Sequence, residues 1–177
     1  MNACVYWITG LSGSGKTTLG RALCRRLRQS GKPTVMVDGD EIRQLLGRKS
    51  TENMYSVAAR RQLSELIQRL SGWLAQQDVN VVCCTISAFP DIRNGNRDIF
   101  DCYFEVFIDT PMDILRQRDN KSIYDRAFTG ELQNVIGVDL PFEAPANSDL
   151  RIENIAQDPN FPEPWVDKIL ELSAGLT

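Results

Sequence analysis

Histidine is absent from the 177 residues. Its absence excludes Ser-His-Asp and Cys-His nucleophilic catalysis and histidine-ligated metal centres. Cysteine is sparse, at Cys4, Cys24, Cys83, Cys84 and Cys102, and no pair has the C-x-x-C spacing. The count is odd, and the first residues carry no basic segment followed by a signal-type apolar run. Together these predict reduced thiols in the cytoplasm, with Cys4, Cys83 and Cys84 as small core residues. No apolar run approaches the ~20 residues that cross a bilayer, so no membrane partner is expected. Positive charge is not in excess either: 20 Lys and Arg stand against 23 Asp and Glu, a net −3. That withholds the broad basic footprint of a nucleic-acid-binding chain. The length predicts one domain over 1–177, large enough to bury a core without metals or disulfides.

What is present begins with Gly10-Leu11-Ser12-Gly13-Ser14-Gly15-Lys16-Thr17, a complete G-x-x-x-x-G-K-S/T phosphate-binding loop. An apolar run, Cys4-Val5-Tyr6-Trp7-Ile8, precedes it. A helical pattern with Leu19, Ala22, Leu23 and Leu27 on one face follows it. Strand, glycine-rich turn and helix are the context this motif requires. Gly13, Ser14, Gly15, Lys16, Thr17 and Thr18 are therefore candidates to hold ATP. Lys16 is expected on the β- and γ-phosphates, and the Thr17 hydroxyl on Mg²⁺.

Periodicity predicts a helix over 16–29, a strand over 34–37, a short helix over 41–46, a polar loop over 47–53 and a long helix over 55–77. On the long helix, Leu63, Leu66, Ile67, Leu70, Trp73 and Leu74 are expected to face a sheet. Strands follow over 79–86, 103–108 and 150–152, with helices over 91–100 and 112–118. Pro162 opens a last amphipathic helix through Trp165, Ile169 and Leu172. Residues 119–145 are charged, with scattered Gly and Pro, and are expected to form a lid. Alternating strands and helices predict an α/β three-layer sandwich around a parallel sheet.

No N-K-x-D for guanine is present, and the third predicted strand closes on Thr85-Ile86-Ser87 without an aspartate. The acids come from the second strand, which ends in Asp38-Gly39-Asp40. One of the two can serve a Mg²⁺ water shell and the other can take the proton of an attacking hydroxyl. Asp40 is the preferred base and Asp38 the preferred metal partner. Either residue also reads simply as part of a polar turn that caps the helix over 41–46. Arg43, Arg60, Arg97, Arg116, Arg118 and Lys121 are candidate anion contacts, because phosphoryl transfer builds charge that cations stabilise.

Several motifs resemble one family in order along nearly the whole chain. Residues 8–19 resemble the opening of adenylyl-sulfate (APS) kinases. Asp38-Gly39-Asp40-Glu41-Ile42-Arg43 resembles their D-G-D-N-x-R, and Ile86-Ser87 the start of their I-S-P-Y. Residues 118–124 resemble R-D-x-K-G-L-Y, and residues 137–145 resemble G-I-D-x-P-Y-E-x-P. The resemblance implies a P-loop fold like that of nucleoside monophosphate kinases. It implies transfer of the ATP γ-phosphate to a ribose 3′-hydroxyl with Mg²⁺, by a cytoplasmic homodimer. It also implies nucleotide contacts from Lys16 and Arg118, and acceptor contacts from Asp40, Arg43, Tyr55, Arg60, Ile86, Ser87, Phe89 and Lys121.

The departures fall at the base-recognition end. The family's F-S-x-x-D-R-x-E-N-x-R-R survives in Tyr55 and Arg60, but Ala59, Leu63, Glu65 and Leu66 replace the other polar positions. Val135 stands where one of two base-stacking aromatics is expected, and Ala88 replaces the proline of I-S-P-Y. The runs Thr85-Ile86-Ser87-Ala88-Phe89, Asn96-Arg97 and 134–139 are more similar to a divergent branch, the cytidine diphosphoramidate kinases found with capsule-sugar genes. The expected acceptor is then a cytidine diphosphoramidate, with APS as the alternative. A non-catalytic nucleotide-binding module is the alternative of another class, and intact Lys16, Thr17, Asp38 and Asp40 argue against it.

Overall fold

The computed structural model describes residues 3–46, 55–119, 122–155 and 160–176. Among them, five strands form one wholly parallel sheet in the order β2-β3-β1-β4-β5. These are β1 (Val5–Thr9), β2 (Thr34–Asp38), β3 (Asn80–Thr85), β4 (Tyr103–Asp109) and β5 (Leu150–Glu153). The helices are α1 (Lys16–Gln29), α2 (Gly39–Leu45), α3 (Val57–Ala75), α4 (Pro90–Ile99), α5 (Met112–Gln117), α6 (Ile123–Phe128) and α7 (Glu163–Ser173). The central strands read as continuous apolar runs because helices cover both faces. Tyr6 and Ile8 of β1 pack with Leu19, Leu23 and Leu27 of α1 and with Val166 and Ile169 of α7. Val5 and Trp7, pointing the other way, pack with Leu63 and Ile67 of α3. The result is the expected three-layer sandwich, with the carboxyl ends of the strands along one edge, where ligands bind in open α/β sheets.

The structure corrects three expectations. Trp73 does not face the sheet and is 59% exposed. Leu63, Ile67 and Ser71, at four-residue spacing, take the buried stripe of α3 and leave Trp73 on its flank. Leu172 is likewise exposed in the last turn of α7. The cysteines are not all thiols: Cys4 and Cys102 form a disulfide, while Cys24, Cys83 and Cys84 are free and buried. Val5 pairs with Tyr103, so the residues just before them lie side by side, with Cα atoms 4.6 Å apart across 98 residues of chain. Residues 119–145, expected as a lid, include the helix α6. The loop expected over 47–53 lies outside the described residues.

Candidate active site

The phosphate-binding loop leaves β1 where no side chain fits. A Cβ on Gly10, whose φ is +149°, would lie 2.5 Å from the Ile108 carbonyl oxygen. A Cβ on Gly15, at φ +104°, would crowd the Asn154 amide and the Phe161 ring. The loop carbonyls are held from outside. The Tyr124 hydroxyl donates to Ser12 O at 2.8 Å, Asn154 Nδ2 to Ser14 O at 2.8 Å, and Lys16 Nζ to Leu11 O at 2.7 Å. The N-terminus of α1 has no side-chain cap. Its first-turn N–H groups and the helix dipole are therefore available to an anion. Ser14 Oγ is buried without a hydrogen-bond partner. That orphaned donor and the uncapped helix end both fit a phosphate chain. Burial lowers the Lys16 pKa to about 8, against the pull of Cys84, Asp40 and Asp38.

Asp38 closes β2 and is buried. Its Oδ2 accepts the Thr17 hydroxyl at 2.8 Å, and its Oδ1 accepts the Asp40 N–H at 2.9 Å. It thus caps α2, which starts at Gly39 and not at residue 41, and it also faces the P-loop threonine. Thr17 and Asp38 together form an oxygen pair suited to Mg²⁺, which keeps waters and phosphate oxygens as its other ligands. Asp40 is 69% exposed beside them and pairs with Arg43 Nη1 at 2.7 Å. The Arg43 and Arg60 guanidinium carbons lie 5.3 and 5.2 Å from the Tyr55 ring centroid. Burial first, and then the charge of Arg43, lower the Arg60 pKa. Two cations this close to one another favour an anionic ligand.

The turn after β3 is pinned from below. The Thr9 hydroxyl donates to Ile86 O at 2.8 Å, and Trp7 Nε1 donates to Ser87 Oγ at 2.5 Å. Ser87 has φ +53°, a left-handed conformation that this pinning maintains. Phe89 lies under the Arg61 guanidinium, 5.3 Å from its carbon. Across the cleft, Arg60 Nη2 donates to Asn134 O at 2.7 Å. Asp139 accepts the N–H groups of Asn134 and Val135 at 2.5 and 2.6 Å. Burial works against the Asp139 carboxylate, but these two donors hold its pKa below the ordinary range.

The structure therefore brings Lys16, Thr17, Asp38, Asp40, Arg43, Tyr55 and Arg60 together around the carboxyl edge of β1 and β2. Thr18 is exposed on the first turn of α1. Arg118 caps α5 at the foot of the lid, and Lys121 lies outside the described residues. The Val135 side chain does not stand open as a wall for a base. It is 6% exposed and packs with Leu115 of α5 and Tyr124 of α6, in a small cluster between the two helices. Arg97 and Arg116 are not open anion contacts either. Arg97 pairs with Asp149 and Glu105, and Arg116 with Asp125. Tyr124, Asn154 and the buried Arg93 escaped sequence reasoning. Tyr124 ends the 118–124 motif and carried a signal; Asn154 carried none.

The chain is similar to known proteins. The family model for adenylylsulphate kinase matches residues 2–153. A cytidine diphosphoramidate kinase of Campylobacter jejuni is 38% identical over 153 residues, covering 86% of this chain and 87% of that one. An adenylyl-sulfate kinase of Pseudomonas aeruginosa is 33% identical over 169 residues, covering 94% and 85%. The solved structure of a Mycobacterium tuberculosis APS kinase in complex with AMPPNP and APS aligns with a TM-score of 0.83 at 29% identity over 97% of each chain. The chain belongs to the adenylyl-sulfate kinase family and is a kinase that transfers phosphate from ATP.

Proposed function

We propose that this kinase phosphorylates the ribose 3′-hydroxyl of a 5′-activated cytidine nucleotide, a cytidine diphosphoramidate. The observation that carries the reading is the placement of Asp40. It lies between the Thr17–Asp38 pair on the ATP side and the Arg43–Tyr55–Arg60 cluster on the acceptor side. ATP lies along the P-loop, with Lys16 and Ser14 on its phosphates and Arg118 near the foot of the lid. Thr17 and Asp38 would hold Mg²⁺, which when bound would supply charge neutralisation to the phosphates. Asp40 accepts the proton of the 3′-hydroxyl as its oxygen attacks the γ-phosphorus. The bond to the β–γ bridging oxygen breaks and ADP leaves. Arg43 and Arg60 bind the acceptor's 5′ diphosphate-like group, and Tyr55 and Phe89 bound its base. Ile86, Ser87 and Lys121 complete the acceptor site. One domain over residues 1–177 carries the reaction, with residues 119–145 as lid, in a cytoplasmic homodimer without nucleic-acid or membrane partners. The similarity of 38% to the Campylobacter enzyme supports the cytidine compound.

APS is the second reading, supported by the structural neighbour solved with APS. Kinetic comparison of the two acceptors at saturating Mg-ATP decides between them. The cytidine compound is expected to have the higher kcat/KM, and phosphorus NMR should place the new phosphate on the 3′ oxygen. A preference for APS of about tenfold or more overturns the cytidine assignment.

A further inference from the structure

Arg93 is 2% exposed and is among the largest fully buried side chains of the described residues. It belongs to no phosphate or metal contact. Its Nη1 donates to Ser87 O at 3.1 Å and to Glu143 O at 3.0 Å. Its Nε faces Glu105 Oε1 at 3.5 Å without hydrogen-bond geometry. Three separate pieces of chain thus meet on one guanidinium: the turn after β3, the return leg of the lid, and the middle of β4. Glu105 is fixed in turn by Arg97 at 3.7 Å, and its N–H donates to Asp149 at 2.7 Å.

A buried ion pair is weak evidence for stability, because apolar residues of similar volume often serve as well. What an apolar residue cannot do is hold two carbonyls from different segments in one plane. In the reading above the Ser87 turn borders the acceptor, and the Glu143 segment is tied to it through Arg93. Ser87 is in a left-handed conformation that its own side chain does not favour. Glu143 follows Phe142, which packs on Phe107 of β4 at 6.0 Å between ring centroids.

We propose that Arg93 is a positioning residue for the acceptor, coupling the Ser87 turn to the lid's return leg so that the two segments move as one unit. The proposal rests on the reading above for which side of the cleft takes the acceptor. It makes Arg93 a determinant of acceptor KM that never touches the acceptor.

The test compares wild type with Arg93→Lys, Arg93→Met and the double variant Arg93→Met/Glu105→Gln. The double variant leaves no unpaired buried charge, so it serves where Arg93→Met alone fails to fold. KM is measured for ATP, for APS and for cytidine 5′-diphosphoramidate, beside melting temperature and hydrogen exchange of the ligand-free proteins. Acceptor KM is expected to rise about tenfold or more with ATP KM within about twofold, the scale of a small misplacement caused from outside the chemistry. Arg93→Lys should recover melting temperature by neutralising Glu105 but should not recover acceptor KM. Residues 86–89 and 141–145 should lose exchange protection together, while residues 10–17 keep theirs. An equal rise in both KM values, full recovery of acceptor KM by lysine, or loss of protection in one segment alone overturns the proposal. If the wild type phosphorylates neither acceptor, the function assigned above fails, and the exchange comparison still decides the role of Arg93.

Discussion

Binding of ATP to this protein is expected to take up a proton at alkaline pH. In the ligand-free site the Lys16 ammonium donates to the Leu11 carbonyl, and burial lowers its pKa from 10.5 to about 8. A phosphate chain places several negative charges against the same ammonium and raises its pKa again. Between the free and bound values, the empty protein has lost the proton and the complex holds it. At about pH 9, one unit above the free value, about one lysine in ten is charged, and apparent affinity is about tenfold weaker than at neutral pH, or about 1.4 kcal/mol. The phosphate oxygens titrate near pH ~6 and contribute nothing there. Stability moves the other way. Because the folded pKa is the lower one, the unfolded chain binds more protons between about 8 and 10.5. This group therefore adds stability as pH rises through that window, so unfolding does not explain the weaker binding. Calorimetric titration with Mg-AMPPNP, in two buffers of different ionisation enthalpy, reads the proton number. It should approach one at about pH 9, fall towards zero at about pH 7, and vanish in Lys16→Met. An equal proton number at both pH values, or one unchanged in Lys16→Met, refutes the reasoning.

Three further outcomes can be checked. Asp40→Asn should lower kcat by at least ~10²-fold with ATP KM little changed; a near-normal kcat in steady-state assays would move the proton-accepting role to Asp38. Tyr124→Phe removes the hydroxyl bond to the Ser12 carbonyl and should weaken ATP binding about fivefold, the worth of about 1 kcal/mol, in a direct titration. Acceptor KM should stay put, and weakening of the acceptor alone would contradict the link. Val135→Phe overfills the cluster with Leu115 and Tyr124 and should destabilise by about 1–3 kcal/mol in denaturant unfolding. An unchanged midpoint would mean that the lid has room for a ring there.

The ATP half of the site was legible in the sequence because its parts are local. Gly10 to Thr17 form the loop within eight consecutive residues, and the strand before and helix after are the loop's own neighbours. Asp38 was legible for the same reason, since Asp38-Gly39-Asp40 ends a short apolar run. What escaped were partnerships made across the sheet. Tyr124 meets Ser12 over 112 residues of separation, Asn154 meets Ser14 over 140, and Cys4 meets Cys102 over 98. Periodicity says which face a side chain takes, not which distant carbonyl or sulfur it finds there. Val135 shows a different limit. Its place in a motif pointed to a base, but the side chain is buried in a small cluster with Leu115 and Tyr124.

Strand parity explains why the acceptor half was harder to read than the ATP half. Ile8 of β1 pairs in register with Val106 of β4, and both turn to the α1 and α7 face, where the described buried cluster is almost wholly apolar. One residue earlier, Trp7 pairs with Glu105, and both turn to the opposite face. There the Trp7 indole finds Ser87 and the Glu105 carboxylate finds Arg93. The same two strands are largely apolar on both faces, but on the face under the acceptor turn that surface also carries the polar contacts of Trp7 and Glu105. A dry surface follows from a run of apolar letters. A polar surface requires each donor to be matched to its acceptor, and here the acceptors come from the turn after β3, from β4 and from Glu143. Trp7 inside the apolar run before the P-loop reads as one more core residue, yet its N–H fixes the hydroxyl of the turn that follows the neighbouring strand β3. A substitution such as Glu105→Gln, four residues from the end of β4, should consequently be felt at the acceptor before it is felt at ATP.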